Sequence, residues 1–228
     1  MSHSAKTVKY HEDPNHMDFR FEFARKAIHL SSLLIPLIYC HINRSLALLI
    51  ITPVTAGFLF VDILKNFVPK VSAWYHGTFD HMLRHHELRK DQIHLNGATW
   101  ITLSALILIA LFPKMIAITA FAMVSVSDTV AAIVGKMFGR HRFGEKSIEG
   151  SLGFLVSALL IAALVPHILW PVGVAMALSG TLAEALVIQI KGFKIDDNIT
   201  VPLTTAIVGL AYYTWFFPSA IDSLMSCP

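Results

Sequence analysis

Residues 115–150 read MIAITAFAMVSVSDTVAAIVGKMFGRHRFGEKSIEG. Up to Val134 the stretch is apolar apart from hydroxyls and one acid, Asp128. A run of roughly 17–25 apolar residues is long enough to cross the hydrocarbon of a bilayer as a helix. The character then changes within a few residues. Lys136, Arg140, Arg142 and Lys146 make the next segment polar and basic. A greasy helix that carries one acid and ends in a basic loop belongs to a membrane protein.

The rest of the chain repeats the pattern. Further apolar runs cover 27–43, 46–63, 98–112, 151–166, 169–190 and 199–217, the run at 98–112 being the shortest. The expected fold is therefore all-α, a polytopic membrane bundle of about seven transmembrane helices. Composition agrees: 55% of the 228 residues are hydrophobic, 14% are charged, and mean hydropathy is +0.61, outside the range of a soluble domain. Strands are not expected at depth, because an open sheet edge has no partners in lipid. Residues 1–24 are polar and mixed in charge. They lack the pattern of a cleaved signal and are expected to form a cytoplasmic or interfacial arm. Residues 25–218 form the membrane domain and 219–228 a short tail. The connection 65–97 is too long for a turn. Its part 72–88 mixes Trp74, Tyr75, Phe79, Met82 and Leu83 with His and Arg, as an amphipathic helix lying in the interface does. Cys40 and Cys227 match no zinc spacing and make no disulfide framework.

Basic residues set an orientation. The arm through Lys26, the 65–97 connection, the 136–150 loop and the 191–198 loop hold every Lys and Arg except Arg44 and Lys114. These four segments fall on one side of a seven-span bundle. The positive-inside rule makes that side cytoplasmic, with the N-terminus inside and the C-terminus outside. No nucleic-acid-binding module is visible.

Three acids fall within predicted spans: Asp62, Asp128 and Glu184. An ionisable group at depth costs about 3 kcal/mol or more on insertion scales. Each should lie near the cytoplasmic end of its span and have a partner. At ~1.5 Å per residue, Asp128 sits about 10–12 Å above Lys136. After Asp128, residues Ala131, Gly135 and Gly139 recur on the same helical face. Such a stripe permits close packing of helices or close approach of a ligand. Ser147 is a plausible N-cap for the next span, with Glu149 in its first turn. A helix N-terminus flanked by Lys146, Arg140 and Arg142 suits phosphate. Carboxylates such as Asp128 and Glu149 suit Mg²⁺ carrying phosphate. The glycines at 139 and 144 with Lys146 and Ser147 only superficially imitate a phosphate-binding Walker loop. The spacing is one residue too long, and a helix precedes it instead of a strand.

The full pattern, Asp128-x2-Ala131-x3-Gly135-x3-Gly139-x6-Lys146-Ser147-x-Glu149-Gly150, resembles the CTP-binding signature of the dolichol kinase, phytol kinase and CTP-dependent diacylglycerol kinase family. Arg25-Lys26-x2-His29, Arg84-x2-Glu87 followed by Asn96-Gly97-Ala98-Thr99, and Asp196-Asp197-Asn198 before the last span resemble other stretches of that family. The likeness covers about 20–217. It implies phosphorylation of a membrane lipid alcohol (a polyprenol, a phytol-like alcohol or diacylglycerol) by CTP with Mg²⁺ or another divalent cation, at the cytoplasmic face of the bilayer. It implies catalytic roles for Asp128, Asp196, Asp197 and Lys146, and metal ligation by Asp128, Glu149, Asp196 and Asp197. It further implies nucleotide contacts from Arg25, Lys26, His29, Arg84, Gly135, Gly139, Lys146, Ser147, Glu149, Gly150 and Asn198. The signature also resembles phosphatidate cytidylyltransferases. Those carry a further C-terminal motif rich in Lys, Arg, Asp and Gly-His-Gly-Gly, where this chain has Asp196-Asp197-Asn198. An ion-coupled transporter that uses the three buried acids is the remaining alternative.

Overall fold

A computed structural model describes residues 26–79, 95–144, 146–186, 189–190, 193–194 and 196–227. Each of the apolar runs falls largely on helix. A helical segment at 26–31 leads through a turn at Ser32 and Leu33 into α1 (Leu34–His41). Then come α2 (Arg44–Phe67), α3 (Pro69–Phe79), α4 (Gly97–Leu111) and α5 (Lys114–Ala122). A single π-helical turn (Met123–Ser127) joins α5 to α6 (Asp128–Phe138). Helices α7 (Ile148–Leu164), α8 (Trp170–Ala185) and α9 (Asp197–Phe216) follow, and a 3₁₀ segment (Pro218–Met225) ends the chain. Strands do occur; among the described residues they are two two-residue hairpins in polar connections: β1 (Arg142–Phe143) with β2 (Lys146–Ser147), and β3 (Gln189–Ile190) with β4 (Phe193–Lys194). The α8 helix stops at Ala185, short of the run predicted to reach 190.

Among the described residues, three helices are long and apolar enough to cross a membrane: Arg44–Phe67, the continuous Lys114–Phe138, and Asp197–Phe216. At 1.5 Å per residue each spans about 30 Å or more. Gly97–Leu111 and Ile148–Leu164 are shorter apolar helices. Large apolar side chains such as Leu49, Phe60, Leu111, Leu164 and Trp215 point outward and are more than half exposed. A surface this greasy is unsuited to water and suited to lipid.

Small residues bring the helices together. A Cβ on Gly173 would lie 2.7 Å from Ala162 Cβ, joining α7 to α8. One on Gly180 would lie 2.8 Å from Thr205 Oγ1, and one on Gly209 the same distance from Met176 Sδ, joining α8 to α9. Buried hydroxyls bond back to their own helices, as Thr55 does to Ile51 O at 2.9 Å and Thr205 to Val201 O at 2.7 Å. These bonds satisfy the hydroxyls within the apolar interior, while among the described residues Tyr39 Oη, Ser104 Oγ and Ser127 Oγ are buried with no hydrogen-bond partner.

The end of the bundle away from the basic loops is fastened by capping. Arg44 Nη2 donates to Phe112 O at 2.5 Å, closing the C-terminus of α4. Lys114 Nζ donates to Ile42 O at 2.8 Å, closing that of α1. These are the two basic residues that break the charge partition, and both serve as helix caps. Tyr213 Oη donates to His167 O at 2.9 Å and accepts from Leu169 N at 2.8 Å. Cys40 and Cys227 correct the sequence reading. They form a disulfide across 187 residues, with Cα atoms 5.5 Å apart. Spacing gave no hint, because the pairing depends on α1 and the 3₁₀ tail meeting at this end.

Denatured protein purified without reductant should therefore bind no maleimide, and both cysteines should react after reduction. Two reactive thiols before reduction would rule the bridge out.

Candidate functional site

The opposite end collects the charges. The face formed by Lys26, His29 and Ser32 runs along the π turn and the start of α6. Lys26 Nζ donates to Asp128 Oδ2 at 2.6 Å and to the Asp128 carbonyl at 3.3 Å. His29 Nε2 lies 3.3 Å from Val124 O and 3.8 Å from Asp128 Oδ2. Ser32 Oγ and Ser125 Oγ are 3.0 Å apart. A π turn holds one residue more than an α turn, so it resets which side chains share a face beyond it; such turns are frequent at functional sites. Here the turn delivers Asp128 to the first helix. The partner that a buried carboxylate requires is Lys26, itself buried.

A second ionic node lies around Lys146. The β1–β2 hairpin turns at Gly144, whose φ of +63° suits a residue without a side chain. It carries Lys146 to the ends of α8 and α9. Lys146 Nζ donates to Glu184 Oε1 at 2.7 Å and to Asp197 Oδ2 at 2.8 Å. Ser151 Oγ donates to Glu184 Oε2 at 3.2 Å. Burial works against the Lys146 charge, but the Asp197, Glu184 and Asp128 carboxylates outweigh it and hold the ammonium above the ordinary lysine range. Asp128 thus lies within electrostatic reach of Lys146. Glu184 was recognised in the sequence as a buried acid but not as part of this site. Its signal was its position near the end of a span that leads to a polar loop.

The small-residue face packs the hairpin in place. Ser147 caps α7, its Oγ accepting from Gly150 N at 3.1 Å. A Cβ on Gly135 or on Gly139 would lie 2.9 Å from that same Oγ, and one on Gly150 would lie 2.9 Å from Ala131 O. In this structure Gly135, Gly139 and Gly150 let α6, α7 and the hairpin approach, so their contacts are with protein. Glu149 faces His141, with Oε1 2.8 Å from Nδ1 and 3.2 Å from the backbone N. The His141 side-chain hydrogen bond and neighbouring backbone N–H groups hold Glu149 down to about 2. It therefore keeps its charge at any physiological pH. Asp196 caps α9 through Asn198 N at 2.9 Å, while Asn198 abuts Gly97. Arg25, Arg84 and residues 1–24 lie outside the described residues.

The four acids expected to bind metal are not brought to one point. Among the described residues, no group of three or more His, Cys, Asp or Glu side chains is placed to hold an ion. The donor set fits a divalent ion that takes one or two protein carboxylates and completes its shell with phosphate and water, which is the habit of Mg²⁺. It does not fit an all-protein cage.

Comparison with known proteins bears on this arrangement. The profile of the cytidylyltransferase family matches residues 14–195. An uncharacterized protein of Rickettsia prowazekii is 31% identical over 82% of this chain and 92% of its own length. A CTP-dependent diacylglycerol kinase 1 of Eremothecium gossypii is 26% identical, covering 68% of this chain and 56% of that one. A farnesol kinase, chloroplastic, of Arabidopsis thaliana is 26% identical, covering 76% of this chain and 64% of that one. The chain thus spans about half to two thirds of the length of these kinases. No solved structure matches.

The Lys26–Asp128 pair has a thermodynamic signature. Removing one partner of a buried pair costs about 3–5 kcal/mol, whereas removing both is often neutral. Lys26→Met and Asp128→Asn should each lower the melting temperature in detergent, and the double variant should recover most of the loss. Single variants that melt like wild type would contradict the pairing.

Proposed function

The chain belongs to the cytidylyltransferase family, and from that membership we propose that it is a CTP-dependent kinase of a membrane lipid alcohol. The observation that carries the reading is the node in which Lys146 meets Glu184 and Asp197 beside the Lys26–Asp128 pair. Its kinase relatives are named for diacylglycerol, phytol and farnesol. All of these are lipids with a free hydroxyl. A family relation at this identity supports the reaction class and leaves the particular alcohol open to assay.

The reaction has a simple balance. The lipid hydroxyl oxygen attacks the γ-phosphorus of CTP, the bond from that phosphorus to the β–γ bridging oxygen breaks, CDP leaves, and the hydroxyl proton passes to a base. Such transfer needs mainly positioning and charge neutralisation. We assign Lys146 and Lys26 to the phosphates. Glu184 and Asp197 hold the Lys146 ammonium in place and keep it charged. Asp197, with 15% of its side chain exposed, is the candidate proton acceptor. His29, Asn198, Arg25 and Arg84 complete the nucleotide contacts. Asp128 and Asp197 would hold the divalent ion, while Glu149 stays with His141 and Asp196 caps α9. That ion, when bound, neutralises charge on the phosphates. A membrane setting suits the substrate: only the hydroxyl has to reach the ionic end, and the tail stays in lipid.

The same reading includes seven spans, with the ionic end cytoplasmic and the disulfide end outside. The charge partition supports this orientation, as does the preference of disulfides for oxidising compartments. The transporter reading has less support, because transport sites lie near the midplane whereas these acids are tied to lysines from the basic side. Cytidylyl transfer to a lipid phosphate would instead break the α–β bond and release pyrophosphate. Asp196-Asp197-Asn198, in place of the motif of those enzymes, supports the kinase.

Purified protein given γ-labelled CTP and a panel of lipid alcohols should place label in the lipid and release CDP. Pyrophosphate release without lipid labelling would favour the cytidylyltransferase and reject the kinase. Lys146→Ala should raise the KM for CTP by about tenfold or more, as loss of a charged hydrogen bond of about 1.5–3 kcal/mol requires. Unchanged kinetics would remove Lys146 from the phosphates.

A further inference from the structure

Asp62 is a buried acid that the proposed chemistry leaves unused. It lies near the end of α2, fully buried, and four donors converge on it. Lys65 Nζ donates to Oδ1 at 2.6 Å, Asn96 Nδ2 to Oδ1 at 3.0 Å, Asn96 N to Oδ2 at 2.8 Å, and Thr99 Oγ1 to Oδ2 at 2.5 Å. Counter-charge alone would need only Lys65. The other three donors all come from the first turn of α4, where Asn96 also caps the helix by accepting from Thr99 N at 2.8 Å. Lys65 in turn sits 4.6 Å from the centroid of the Tyr75 ring, which ties α3 to the same point.

What the fixed turn touches gives the node its meaning. A Cβ on Gly97 would lie 3.7 Å from Asn198 Nδ2, so the backbone that Asp62 holds is a wall of the Asn198 position. Asn198 follows Asp197, which binds Lys146. A connected path therefore runs from Asp62 through Asn96 and Gly97 to Asn198 and Asp197. Asp62 itself touches neither Lys146 nor Asp128. We infer that Asp62 is a positioning residue for the nucleotide site: its carboxylate locks the Asn96–Gly97 turn against Asn198 and so sets where α9 presents Asp197 to Lys146. The inference rests on the kinase reading for its catalytic consequence and on the geometry alone for its structural one.

The test uses the full chain in detergent. Asp62→Asn with Lys65→Met removes both charges together, so no buried lysine is left unpaired. A small misplacement at a reacting centre costs about tenfold to a hundredfold in rate. The double variant should lose about that much in kcat/KM for CTP, keep the KM for the lipid within about twofold, and show faster amide hydrogen exchange at both 96–100 and 196–200. Should the double variant not fold, Thr99→Val removes one donor only. It should show the same pattern more weakly, and Thr99→Ser, which keeps the hydroxyl, should recover most of the loss. Wild-type kcat/KM in these variants, or faster exchange confined to 96–100, would overturn the inference. If the wild type transfers no phosphate from any nucleotide, the kinase reading fails. The exchange at 196–200 then decides the positioning role by itself.

Discussion

An acid carried on an apolar helix has to be met by a donor, because neither lipid nor a packed interior solvates it. This chain carries three, and each is met by a lysine: Asp62 by Lys65, Asp128 by Lys26, and Glu184 by Lys146. The lysines come from different places: the same helix, the first helix and a hairpin. All belong to segments on one side of the charge partition. The need to pair Asp128 and Glu184 therefore draws the first helix and the hairpin to one end of the bundle. Under the proposed reading, the phosphate-binding groups gather there.

The other end is built on a different principle. Arg44 and Lys114 close the carbonyl ends of neighbouring helices, Tyr213 ties the turn between α7 and α8, and a disulfide joins α1 to the tail. Charge there is used as mortar. A tightly capped disulfide end gives the opposite ends of the helices a fixed base. That matters for a site assembled from residues as far apart in sequence as Lys26 and Asp197. The small-residue stripe contributes in the same way. Gly135, Gly139 and Gly150 allow the hairpin to press onto α6, and the hairpin brings Lys146 in.

Much of this was legible in the residues. Apolar runs map onto helices because length and hydropathy decide whether a segment can be buried in lipid. The Ser147 cap and the small-residue face follow from local rules of the same kind. Three features were not legible, each for a physical reason. The π turn before Asp128 has an ordinary apolar composition, since one extra residue in a turn leaves no compositional mark. The Cys40–Cys227 bridge depends on tertiary proximity across nearly the whole chain. The division of labour among the acids depends on which donor reaches which carboxylate. Asp196 and Asp197 are adjacent in sequence, yet the first caps α9 and the second faces Lys146. Glu149, expected as a metal ligand, faces His141 in this structure.

The ionic nodes also explain how such a site can stand ready without ligand. Lys146 is kept charged by carboxylates that a polyphosphate would have to join or displace, and Lys26 is similarly held by Asp128. Binding of nucleotide with its metal should consequently stabilise the fold through these groups, by mass action on the native state. The most direct measurement is the melting temperature of the purified protein in detergent, with and without Mg-CTP. It should be made for the wild type and for the charge-free Lys26→Met, Asp128→Asn pair, which keeps the fold without the ions. The account predicts a clear upward shift for the wild type and none for the double variant. An equal shift in both would place the nucleotide elsewhere and contradict the assignment.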